Sequence, residues 1–166
     1  MKKQFLYIFF LFAFISCQDD VKFNNPAFEG QKDNVFWRAV DSKAMLAANQ
    51  SLTIEAYTRN EKLTLKTTSA DPGTYFLGTS TSIEATYVLT AVSGTITFST
   101  GTERGNGEIV ITEHDEVNNT ITGTFKFKAE NVDNNPLAGP VLNFQYGHFY
   151  KIPVTSNLVD LLPGTP

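Results

Sequence analysis

An all-β fold, an antiparallel β-sandwich or barrel of about 8–10 strands, is what this sequence predicts. Three observations carry the prediction. Apolar and polar residues alternate with period two through most of the chain. Gly, Pro, Asn and Asp interrupt that alternation at short intervals. β-branched residues are spread throughout, and no stretch holds a sustained helical stripe.

The exception to period two comes first. Lys2 and Lys3 precede an unbroken apolar run from Phe5 to Ile15, followed by Ser16-Cys17-Gln18-Asp19-Asp20. A positive end, a short apolar middle and a small residue before Cys17 are the parts of a secretory signal. The run is well short of the roughly 20 residues that a membrane-spanning helix needs. Phe14-Ile15-Ser16-Cys17 resembles a bacterial lipobox with Phe in place of the usual Leu. Cleavage after Ser16 would leave Cys17 as a lipidated N-terminus. A plain signal peptide is the alternative; that Cys17 is the only cysteine and sits at the cleavage point favours the lipobox. The expected organisation is a signal peptide over 1–16, a lipid-anchored tether over 17–31, a β domain over 32–155 and a tail over 156–166. The tether is assigned because Gln18 to Gln31 has Asn24-Asn25-Pro26 and no periodicity.

Within the domain, Val35, Trp37 and Ala39 share one face of a first strand. Asp41 to Ala48 suits strand or loop, although Lys43 to Ala48 would also make a short helix. Leu52, Ile54 and Ala56 alternate with polar partners, and Asn60 opens a turn into Leu63, Leu65 and Thr67. Asp71-Pro72-Gly73 predicts a turn in which Pro presets φ and Gly accepts a positive one. A strand over 74–77 ends at Gly78; Ile83, Ala85, Tyr87 and Leu89 mark the next, and Ile96 and Phe98 another. Thr100 to Gly107 is a glycine-rich turn without phosphate-loop spacing. Ile109 and Ile111, the loop 115–119, and Ile121, Phe125, Phe127 and Ala129 form the clearest hairpin; its polar face is Thr122, Thr124, Lys126 and Lys128. The last strand, 141–154, places Leu142, Phe144, Tyr146, His148 and Tyr150 on one side. Pro153 marks an edge or an end, because it cannot donate to a ladder.

Several of these stretches together resemble a known group. Cys17 to Asp20, Asn25-Pro26-Ala27-Phe28, Val35 to Ala39, Asp71 to Tyr75, Ile121 to Phe125 and the closing Gly147-His148-Phe149-Tyr150-Lys151-Ile152-Pro153-Val154 are similar to small lipoproteins of the Bacteroidota. Those belong to a domain family of unknown function. The resemblance implies a β fold and an outer-membrane, lipid-anchored location facing the exterior, and it transfers no activity. Acidic residues just after the lipidated cysteine resemble an export signal in that group, which assigns the role to Gln18, Asp19 and Asp20.

Composition narrows function mainly by exclusion. The formal charge of −4 becomes −6 once Lys2 and Lys3 are cleaved, and no basic patch remains, so nucleic acid is not an expected partner. With Cys17 acylated there is no thiol for a disulfide, a metal or a nucleophile. His114 lies among Glu113, Asp115 and Glu116, yet neighbours on a strand point to opposite faces, so a solvated loop is the simpler reading. Asn131, Asp133, Asn134 and Asn135 supply oxygens suited to Ca²⁺, but they lack the Gly and final Glu of a calcium loop. Gly-x-Ser-x-Gly is absent. No catalytic residue, metal or cofactor is therefore expected. Trp37, Tyr146, His148 and Tyr150 are the candidate ligand-binding residues, although Trp37 also suits a core. The expected function is a non-enzymatic domain that binds or scaffolds an extracellular or periplasmic protein, glycan or small ligand. The rivals are a barrel carrying a small apolar ligand inside, which requires a cavity, and a glycan-active hydrolase, which requires two converging carboxylates.

Overall fold

The structure, a computed structural model, describes residues 26–92 and 94–156. The predicted leader, Cys17, and Gln18, Asp19 and Asp20 lie outside the described residues, as does the tail beyond Ser156. Eleven strands make up the domain: β1 (Ala27–Lys32), β2 (Val35–Arg38), β3 (Asp41–Leu46), β4 (Leu52–Tyr57), β5 (Glu61–Thr67) and β6 (Gly73–Leu77), then β7 (Glu84–Ala91), β8 (Gly94–Ser99), β9 (Asn106–Asp115), β10 (Thr120–Asn131) and β11 (Val141–Ser156). The all-β prediction holds, with one strand more than its upper bound. The addition is β1, so residues 27–31 belong to the domain and not to a tether. Phe28 explains the correction, because its ring is buried and holds this strand in the sheet.

β10 and β11 pair along nearly their whole lengths, from Thr120 opposite Pro153 to Glu130 opposite Val141. Each also joins a second layer. The last three residues of β11 run parallel to Ala44–Leu46 of β3, and Glu130 and Asn131 of β10 pair with Ser99 and Phe98 of β8. A six-stranded layer, β2-β1-β11-β10-β9-β6, thus faces a five-stranded layer, β3-β4-β5-β7-β8. Those two joints close a hydrogen-bonded ring of seven strands, with β1–β2 and β6–β9 as flaps beyond it. The architecture is a sandwich whose layers are stitched into a flattened barrel. Pro153 lies between Tyr150, the last β11 residue paired with β1, and Val154, the first paired with β3. A missing donor is tolerated there because the partner strand is changing.

Aromatic rings fill the six-stranded side of the interior. Phe28 lies 5.0 Å from Phe125 and 6.0 Å from Phe149, and Phe144 lies 5.1 Å from Phe127, between ring centroids. Aliphatic residues cover them from the other layer, with Leu52, Ile54, Ala56, Leu63 and Leu65 all buried. Tyr87 joins the two sets, its ring 6.0 Å from Phe144. The register predicted for β10 is observed: Ile121, Phe125, Phe127 and Ala129 point inward, and Lys126 and Lys128 outward.

Three local expectations are corrected. Gly73 opens β6 without a positive φ; the turn before it is tied by Ser69 and Asp71 side chains instead. Val35 is exposed although Trp37 is buried, because Val35 stands at the β1–β2 turn beyond the reach of the core. Most consequential, Tyr146, His148 and Tyr150 do not share the face of Leu142 and Phe144.

Candidate functional site

Strand β11 carries two β-bulges, and the first of them causes that last change. Lys126 of β10 stands opposite two residues of β11, Gln145 and Tyr146, and Thr122 stands opposite Tyr150 and Lys151. Tyr146 and Lys151 take φ of 52° and 49°, the left-handed conformation in which bulge residues are accommodated. Each extra residue reverses which parity faces the core. Leu142 and Phe144 point inward, then Gly147 and Phe149, then Ile152. Residue 147 must be glycine for a close approach: a Cβ there would sit 2.5 Å from the Phe125 ring.

Tyr146, His148 and Tyr150 are thereby gathered on the outer face of the six-stranded layer, and Trp37 is left on the opposite, buried side. Tyr146 is 77% exposed. Strand pairing lays outward residues in rows across this face. One row runs Phe36, Gln31, Gln145–Tyr146, Lys126, Glu108 and Phe76 from β2 to β6. The next contains Arg38, Glu29, His148 and Thr124. Between the rows is an open groove of about 470 Å³, walled by Glu108, Lys126, Gln145, Tyr146 and His148 and floored at Gly147 and Phe125. Its charges are already matched. Lys126 Nζ lies 3.0 Å from Glu108 Oε1, His148 Nε2 2.9 Å from Glu29 Oε1, and Arg38 3.4 Å from the other Glu29 oxygen.

A second polar cluster, centred on Glu61, escaped the sequence reading. The Glu61 side chain, 14% exposed, bridges the layers near the β1–β2 turn. Lys32 and the Tyr87 hydroxyl donate to Oε1; Trp37 Nε1 donates to Oε2 at 2.6 Å and Thr58 Oγ1 at 2.9 Å. Burial alone would raise the Glu61 pKa, but the Lys32, Tyr87, Trp37 and Thr58 contacts outweigh it and hold it at about 2. Tyr87 is pushed up, by burial first and then by the Glu61 charge. Each carboxylate oxygen accepts from two donors, so Glu61 ties the two layers together. Nothing local marks it: Glu61 follows Asn60 in a turn, and Lys32 and Trp37 lie 29 and 24 residues away.

The remaining candidates have ordinary roles. Asp115 caps the β9–β10 turn, accepting from the backbone of Val117 and Asn118, and the Asn118 side-chain contact lowers its pKa. Asp133 accepts from Thr97 N at 2.6 Å, and Asn131 ties its own loop to Asn135 and Gly139. Glu55 is held by Lys62, Lys43 and Tyr57, and Glu84 by Lys66. Among the described residues no group of three or more His, Cys, Asp or Glu is placed to hold a metal ion.

A domain family of unknown function, DUF6252, matches residues 24–153, and the chain belongs to that family. No curated protein and no solved structure matches it.

Proposed function

We propose, with membership of a family of unassigned activity as the premise, that this is an outer-membrane lipoprotein facing the exterior whose non-enzymatic β domain binds through the outer face of its six-stranded layer. The observation that carries the binding role is Tyr146. A non-glycine residue held at positive φ costs about 1–3 kcal/mol, and here that strain holds an aromatic ring out in water, where it packs against no core. Strain of this kind is retained where a side chain is needed in place. Ring-to-ring packing throughout the interior supports a surface binder over a carrier with an internal ligand. The pairing of Glu55, Glu61, Glu84 and Glu108 with lysines supports a non-enzymatic role over a hydrolase.

The anchoring part rests on Cys17. More than one acyl chain, each contributing about 0.8 kcal/mol per buried CH₂, gives lasting attachment. The ten residues from Cys17 to Pro26 span at most about 36 Å, enough to hold the domain clear of a membrane surface. The test is acyl labelling and fractionation of the parent and Cys17→Ala, with protease added to intact cells. The parent is expected to be labelled, membrane-bound and digested, and the variant unlabelled and released. A variant that stays labelled, or a parent that protease cannot reach, overturns the location.

A further inference from the structure

We propose that the groove beside Tyr146 is a saccharide subsite that takes a neutral pyranose ring. This rests on the outer face being the binding surface and adds the ligand's chemical class. Its size, about 470 Å³, suits a small ligand or one unit of a longer one. Its chemistry is more selective than its size. A pyranose presents an apolar C–H face and a rim of hydroxyls that both donate and accept. The exposed Tyr146 ring offers the first a flat apolar partner. Around it Gln145 has an amide that donates and accepts, Lys126 donates, and Glu108 accepts.

Charge favours a neutral ligand. Lys126 is paired with Glu108, and Glu29 is shared between Arg38 and His148, so the groove offers no unpaired charge to a phosphate, carboxylate or ammonium ligand. A neutral polyol adds hydrogen bonds to groups that keep their partners. The bulge also explains why a tyrosine occupies a position that a glycine would fill with less strain. Its backbone conformation turns the ring out beside the groove, and the glycine that follows, Gly147, leaves room on the core side for the Phe125 ring.

The experiment uses the detergent-solubilised mature lipoprotein on a printed array of neutral and acidic oligosaccharides, followed by calorimetry with a neutral oligosaccharide it retains. Variants are Tyr146→Gly and Gln145→Ala, with Val117→Ala, in the distant β9–β10 turn, as control. Tyr146→Gly suits the left-handed φ, so its melting midpoint is expected to equal or exceed the parent's. Its affinity is expected to fall about tenfold or more, the scale of losing one aromatic anchor. Gln145→Ala is expected to weaken binding as well, and Val117→Ala to match the parent. Retention on acidic glycans only, a blank array, or undiminished binding by Tyr146→Gly overturns the saccharide assignment. A blank array from a protein that is acylated and protease-accessible on cells leaves the surface-binding reading standing; a protein shielded in intact cells defeats that reading whatever the array records.

Discussion

Replacing Glu61 with Gln tests whether one side chain holds the β1–β2 flap to the opposite layer. Gln has the same shape, but one carboxylate oxygen becomes an NH₂. Thr58 and Tyr87 hydroxyls can turn to accept from it; Lys32 and the Trp37 indole cannot, because neither has a lone pair to offer. Whichever way the amide is set, one of those two donors faces an NH₂ in a largely buried site. Two routes give the size of the loss. A folded pKa of about 2 against the ordinary 4.5 corresponds to about 3 kcal/mol, and breaking one partner of a buried pair costs about 3–5 kcal/mol. At about 3 kcal/mol, the Tm of a domain this size falls by about 10 °C. Because the folded pKa is depressed, the stabilisation is complete above pH 4.5 and is lost as pH falls towards 2. Urea unfolding of parent and variant at pH 7, 4 and 2 measures this directly. The gap between them is expected to be largest at pH 7 and to close by pH 2. A gap below about 1 kcal/mol at pH 7, within the range of ordinary surface pairs, or one that does not change with pH, would refute the assignment.

The β10 register gives a second test. Phe125, 2% exposed and packed on Phe28 and Phe144, should lose about 3–5 kcal/mol on truncation to Ala, whereas Lys126→Ala should change stability by no more than about 0.5 kcal/mol; denaturant midpoints that rank the two in reverse would put the strand one residue out of register. Gly147→Ala drives a Cβ into the Phe125 ring and should cost about 1–3 kcal/mol in chemical unfolding, and a neutral result would mean that the first bulge lies elsewhere. Changing Asp19 and Asp20 to Ala should leave acylation intact but hide the protein from protease added to whole cells; equal digestion of variant and parent removes the export role.

What the sequence determined by itself was whatever depends on neighbours two residues apart. Side chains alternate across a strand, so Leu52, Ile54 and Ala56, or Phe125, Phe127 and Ala129, announce a strand and its buried face wherever the strand finally pairs. The proposed leader rests on equally local signals, since charge, apolar run and cysteine are contiguous. The location of Tyr146 and His148 was not legible. A single bulge residue reverses every later side chain on a strand, and Tyr146 and Lys151 are not the glycines or asparagines that advertise a positive φ. β1 was missed because six residues broken by Gly30 show little alternation until Phe28 is seen packed on Phe125 and Phe149. Only the tertiary structure brought Lys32, Trp37, Glu61 and Tyr87 to one point. Strands far apart in sequence became neighbours across two layers, and pairing between layers is set by the closure of the sheet, which local alternation does not encode.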